Sequence, residues 1–231
     1  DATLAVMQPA VYIMADDAPE GDGGEIPTLH IAASWKACTS GGSTGTPKVI
    51  VDGRAAGFAE DTDFIGIPAA QPVLVPGPLY HNAPFSAAVF ALWKGCTVIT
   101  MDRFDATAAL QLIANERAAW AMMVPTMMHR IMSLPDALRD SLDLTCWKVV
   151  VHTAAPMARW LKENWIVWLG SDHIWEVYGA TEGLVRCWIG GREWLERPGS
   201  VGRPIGGARL RILDEAGQDV PVGEEGEVYA M

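Results

Sequence analysis

The chain has 231 residues, half of them hydrophobic, and a formal charge of −11. That is ample apolar material for a core, as one large domain or parts of two, and the acidic balance argues against a nucleic-acid partner. Cys38, Cys96, Cys146 and Cys187 are scattered, with no Cys-x-x-Cys pair and no histidine at metal-ligand spacing, which predicts buried reduced thiols and a cytoplasmic setting.

In chain order, residues 1–30 carry Asp16, Asp17, Glu20, Asp22 and Glu25 among glycine and proline, a solvated loop with no secretory leader. Strand-like runs at 32–39 and 48–51 bracket a polar loop. Residues 64–93 carry no formal charge, but Pro68, Pro72, Pro76, Pro78 and Pro84 interrupt them, so they predict core and loops with no membrane span. Within and beyond that stretch the pattern predicts a strand at 72–75, a helix at 83–93 and a strand at 96–101. An amphipathic helix at 106–117 follows, then a strand at 121–124 and a helix at 125–133 opened by its own proline. Residues 148–152, 157–168 and 174–177 repeat strand, helix, strand. This alternation implies an α/β fold, parallel sheets layered with flanking helices. After Glu182 the period changes, and 208–213, a turn at 214–217 and 225–229 predict antiparallel strands. The expected organisation is a partial N-terminal segment over 1–30, an α/β nucleotide-binding core over 31–183 and a β-rich segment over 184–231.

The polar loop reads Thr39-Ser40-Gly41-Gly42-Ser43-Thr44-Gly45-Thr46-Pro47-Lys48. Three glycines let successive backbone N–H groups converge, the hydroxyls of Ser43 and Thr44 add donors, and Lys48 adds a positive charge at the exit. Such a loop suits phosphates. A Walker A loop would need Gly-Lys followed by Ser or Thr, and Thr46 and Pro47 break that pattern. Residues 41–45 also satisfy Gly-x-Ser-x-Gly, the turn of a serine hydrolase with Ser43 as nucleophile, which requires a helix next. The β-branched run after Lys48 predicts a returning strand instead. A plain flexible turn is the remaining reading of the glycines and serines.

The loop resembles the phosphate-binding signature of the adenylate-forming superfamily: acyl-CoA synthetases, adenylation domains of peptide synthetases, and luciferases. Tyr178-Gly179-Ala180-Thr181-Glu182 matches that family's Tyr-Gly-x-Thr-Glu motif. His152-Thr153-Ala154-Ala155-Pro156-Met157 is similar to its adenine-pocket segment. Gly199-Ser200-Val201-Gly202-Arg203-Pro204 and Gly226-Glu227-Val228-Tyr229 resemble the β-rich region that follows. The four matches occur in the family's order.

The resemblance implies the large N-terminal domain of such an enzyme. It also implies ATP as substrate, bound by residues 39–45, Lys48, Ala154, Ala155, Pro156, Glu176, Tyr178, Gly179, Ala180 and Thr181. Tyr178 would lie against adenine, Thr181 would contact the α-phosphate, and Glu182 would help hold Mg²⁺. Lys48, Thr181 and Glu182 are the expected catalytic residues. His81, in Pro78-Leu79-Tyr80-His81-Asn82, resembles a gate beside the acyl and thiol channel, with an ordinary loop histidine as the alternative. Glu176, two residues before the tyrosine, would accept from the adenine amino group or simply face solvent.

The chemistry fits these residue types. A carboxylate attacks the α-phosphorus and pyrophosphate leaves, so the site needs positioning and charge neutralisation with no activated serine. The expected activity is acid–thiol ligation: a carboxylic acid becomes acyl-AMP and passes to coenzyme A, as in fatty-acid or bile-acid CoA ligases. An amino-acid adenylation domain, a serine hydrolase and a non-catalytic nucleotide-binding remnant are the alternatives. The resemblance further implies that a ribose-binding aspartate, a hinge and a C-terminal domain with a catalytic lysine lie outside this sequence. The chain alone is therefore expected to be inactive.

Overall fold

A computed structural model describes residues 33–39, 48–54, 62–183 and 185–231. The acidic run and Ser40, Gly41, Gly42, Ser43, Thr44 and Gly45 of the loop lie outside the described residues. The chain divides into two compact units, residues 1–62 and 63–231.

In the first unit, β1 (Ala37–Thr39) pairs antiparallel with β2 (Val49–Val51), Thr39 opposite Val49. The β-branched run after Lys48 returns as the strand β2, where a nucleophile elbow would call for a helix. Asp52 anchors the end of this ribbon. Its carboxylate accepts from Arg54 at 2.7 Å and lies 3.9 Å from Lys36. The hydrogen bond from Arg54 is the main reason its pKa falls well below the usual carboxylate range.

The second unit is built on a seven-stranded sheet of order β4-β3-β5-β6-β7-β8-β9. Its strands are β3 (Val73–Val75), β4 (Val98–Thr100), β5 (Trp120–Met123), β6 (Val149–His152), β7 (Ile174–Gly179), β8 (Arg186–Gly190) and β9 (Arg203–Pro204). Neighbours from β4 to β7 are parallel, and β8 and β9 add an antiparallel edge. The helices between them are α1 (Asn82–Trp93), α2 (Ala106–Asn115), α3 (Pro125–Met132), α4 (Asp136–Asp140) and α5 (Arg159–Leu169). A further helix, α6 (Gly191–Glu196), joins β8 to β9.

The strand order fixes the layers. The crossover from β3 to β4 runs one way along the sheet, and the next, from β4 to β5, runs back past β3. Right-handed connections therefore place α1 on one face and α2, α3 and α5 on the other. On the second face Leu74, Ala121, Val150 and Ile174 share a register row and, with Met123 two residues along β5, join one core with Leu110, Met128, Leu161 and Trp165. On the first face Phe90 of α1 stacks on Phe64 with ring centroids 4.4 Å apart, and the Trp120 indole donates to the Ile65 carbonyl at 2.9 Å. The uncharged stretch thus serves as core and loops. Among the described residues no helix is long and apolar enough to cross a membrane.

The expected division at residues 183/184 falls inside the β7–β8 hairpin, whose register runs through five pairs from Trp175↔Gly190 to Gly179↔Arg186. The main sheet therefore continues through β8 and β9. The separate antiparallel sheet is β10 (Leu210–Leu213) with β11 (Glu227–Ala230). The turn read at 214–217 is present there: Asp214 accepts through its side chain from the amides of Ala216 and Gln218. Within α5, Trp165 and Trp168 pack edge-on with ring centroids 5.0 Å apart, whereas Trp160 is 51% exposed and lies T-shaped against the His129 ring.

Candidate functional site

Three loops leave the carboxyl ends of parallel strands, the edge where open α/β sheets bind ligands. The first follows β3 and carries His81, the exposed residue that precedes α1; its ring lies 4.5 Å from that of exposed Tyr80. The second follows β6. Thr153 ties it to both neighbouring strands: its amide donates to the Met123 carbonyl at 3.3 Å and its hydroxyl to the Val177 carbonyl at 2.8 Å. Ala154 then takes a left-handed backbone, φ +75°, and Ala154, Ala155 and Pro156 emerge exposed. A β-carbon in that conformation costs roughly 1–2 kcal/mol, so the tethers hold the loop against its own preference.

The third loop is the tip of the β7–β8 hairpin. Tyr178 and Gly179 are the last residues of β7, opposite Cys187 and Arg186, where the sequence reading had ended the strand at Val177. A β-carbon on Gly179 would stand 2.9 Å from the Val185 carbonyl oxygen, so close cross-strand approach requires glycine. Residues 180–183 form a turn closed by the Gly183 amide donating to the Ala180 carbonyl at 3.0 Å. Thr181 and Glu182 occupy its two central positions, Thr181 half-buried and Glu182 exposed. Tyr178 keeps 41% of its surface open.

Behind this edge lies a cluster the motifs did not signal. His152 and Glu176 are register partners on the α5 face of the sheet. The Glu176 carboxylate is neither free nor solvent-facing: Lys162 of α5 donates to its Oε2. Side-chain exposure is 1% for Lys162 and 13% for Glu176, and the ammonium also lies 4.8 Å from the Trp194 ring centroid. Burial lowers the pKa of Lys162, opposed by the hydrogen bond and charge of Glu176. His152 Nε2 is 3.5 Å from the same Oε2, yet neither ring nitrogen completes a hydrogen bond. Burial, and then the Lys162 charge, push the His152 pKa down to about 3, so the imidazole is neutral near pH 7. One signal was available in the sequence: Lys162, Trp165, Ile166 and Leu169 follow helical spacing, which puts a lysine on a buried stripe.

Thr39 and Lys48, at the mouth of the β1–β2 ribbon, belong to the first unit, and the other described site residues belong to the second. No group of three or more His, Cys, Asp or Glu able to hold a metal ion occurs among the described residues. Glu182 stands in the turn as a single exposed carboxylate, an oxygen donor of the kind that Mg²⁺ takes.

This architecture is a mostly parallel mixed sheet flanked by helices with a separate antiparallel sheet, as in the N-terminal domain of adenylate-forming enzymes. The chain belongs to the AMP-binding enzyme family, whose pattern matches residues 36–231. Among relatives, the medium/long-chain-fatty-acid–CoA ligase FadD8 of Mycobacterium tuberculosis (strain ATCC 25618 / H37Rv) is 30% identical over 82% of this chain and 33% of its own length. A 4-coumarate–CoA ligase 5 of Oryza sativa subsp. japonica is 27% identical over 90% of this chain and 41% of its own. The chain thus spans about a third to two fifths of the length of the curated relatives it matches. Of solved structures, the inhibitor-bound N-terminal domain of FACL13 from Mycobacterium tuberculosis superposes with a TM-score of 0.68 at 23% identity, covering 92% of this chain and 52% of that one. ATP-bound MatB from Rhodopseudomonas palustris gives 0.69 at 22%, covering 84% and 39%. At these identities the structures support the fold alone.

Proposed function

We propose that the chain is the nucleotide-binding part of an AMP-forming acid–CoA ligase. ATP and a carboxylic acid react to acyl-AMP and pyrophosphate, and the thiol of coenzyme A then takes the acyl group as a thioester while AMP leaves. The observation that carries this reading is the convergence of the Ala154–Pro156 and Tyr178–Glu182 motifs on one strand edge in a chain of this family. CoA ligases among its relatives, including a feruloyl-CoA synthase at 30% identity over 195 residues, supply the acid–thiol part.

In this reading Tyr178 faces the adenine and Ala154, Ala155 and Pro156 line it, small and exposed where a planar base must approach backbone. Thr181 addresses the α-phosphate from the turn. Thr39, Lys48 and the loop residues 40–45 meet the departing phosphates, where amides and an ammonium stabilise growing charge. Glu182 would hold Mg²⁺, which supplies charge neutralisation at the phosphates. His81 gates the acyl and thiol side. The domain limits at 30/31 and 183/184 remain part of this reading as functional divisions: a lead segment, the nucleotide core and the β-rich segment.

Equilibrium titration of the chain with Mg²⁺-ATP, AMP and a non-hydrolysable acyl-adenylate analogue tests the proposal. Saturable binding of all three, competitive with one another, is expected. Absence of binding by every adenine nucleotide would overturn it.

A further inference from the structure

A buried ion pair is a poor way to gain stability, because desolvating two charges offsets most of their attraction, and an apolar pair of the same volume serves as well. Lys162 and Glu176 therefore invite a functional account, one that rests on the nucleotide-binding reading above. Glu176 and Tyr178 are two residues apart on β7 and share a face of the strand. A base lying against the open ring of Tyr178 brings its edge to Glu176. The carboxylate is held from behind: Lys162 takes Oε2, and neutral His152 brings no competing charge to the same oxygen. The side chain keeps 13% exposure, so it is not sealed off from solvent.

We infer that Lys162 is a positioning residue for base selection: it pins one oxygen of Glu176 inside the core so that the other meets the base edge purely as an acceptor. A carboxylate paired in this way cannot donate, so it rewards an exocyclic amino group and repels a carbonyl at the same position. The site would then prefer adenine to a 6-oxopurine through a residue that never touches the nucleotide.

The test is equilibrium binding of the 231-residue chain to ATP and to inosine triphosphate, which carries an oxo group in place of the amino group. Three proteins are compared: the unmodified chain, Glu176→Gln, and Lys162→Met with Glu176→Gln. The last two carry no unpaired buried carboxylate, and cooperative thermal unfolding is checked for each. The unmodified chain should favour ATP about ten- to hundredfold, the range of a hydrogen bond to a charged group. In Glu176→Gln, Lys162 still claims the oxygen, so the amide NH₂ faces outward and the preference inverts toward inosine triphosphate. In the double variant the amide is free to turn over, and discrimination should fall below about threefold. Equal ratios in Glu176→Gln and the double variant would overturn the role of Lys162 while leaving nucleotide binding intact. No binding of either nucleotide by the unmodified chain would instead overturn the nucleotide reading, and this inference with it.

Discussion

Replacing Lys162 by Met in the otherwise unchanged chain leaves the Glu176 carboxylate at 13% exposure without its ammonium. Breaking one side of a buried pair costs about 3–5 kcal/mol, but protonation sets a ceiling. Neutralising a carboxyl of ordinary pKa about 4.3 costs about 1.36 kcal/mol per pH unit, hence at most about 3.7 kcal/mol at pH 7 and about 1 kcal/mol at pH 5. Burial without a partner disfavours the charged form of a carboxyl, so the penalty grows as pH rises. Glu176→Leu has the opposite sign. It strands the Lys162 ammonium, whose pKa burial already lowers, and the ceiling is about 4.6 kcal/mol at pH 7, falling to about 1.9 kcal/mol at pH 9. The double replacement should return to within about 1 kcal/mol of the parent or exceed it. Urea unfolding followed by tryptophan fluorescence at pH 5, 7 and 9 measures all four proteins. Single-variant costs below about 1 kcal/mol at every pH would show that water reaches the pair and would refute the reasoning.

Three further outcomes are expected. Ala154→Gly relieves a left-handed β-carbon at φ +75°; offset by glycine's extra freedom when unfolded, the gain should be about 0.5–1 kcal/mol in the same urea assay, and a loss would place the loop in a relaxed conformation. Gly179→Ala sets a methyl 2.9 Å from the Val185 carbonyl oxygen, so it should cost about 1–3 kcal/mol and weaken ATP binding by displacing the turn that carries Thr181 and Glu182; isothermal titration calorimetry alongside thermal melts checks both. Lys48→Ala should depress adenylation while sparing affinity for a preformed acyl-adenylate, which lacks the departing phosphates; equal losses for ATP and adenylate analogue would assign Lys48 a general structural role.

Much of the second unit was legible in the sequence because its strands are short apolar runs and its helices carry buried stripes. Pro125 opens α3 as read, and Met123 and Met128 pack in the core. What escaped was set by tertiary contact. Arg186–Gly190 alternates weakly and holds its place through five cross-strand pairs with β7, and α4 spans only Asp136–Asp140 with no buried residue to mark it. The motif residues were legible by type and order. Their support was not: nothing local says that Thr153 ties β6 to β7, or that Lys162 reaches Glu176 from a helix fourteen residues upstream. Glu176 was read as an adenine acceptor or a solvated side chain because the partner that orients it lies on another element.

The central claim is that this chain supplies the nucleotide-handling residues of acid adenylation. The most direct measurement is acid-dependent ATP–pyrophosphate exchange in the longest protein that carries the chain, compared with its Glu182→Gln form across a Mg²⁺ titration. The account predicts exchange that requires a carboxylic acid and falls at least about tenfold in Glu182→Gln with unfolding unchanged, the scale of losing one charge-stabilising contact. No acid-dependent exchange, together with labelling of Ser43 by a fluorophosphonate, would contradict it.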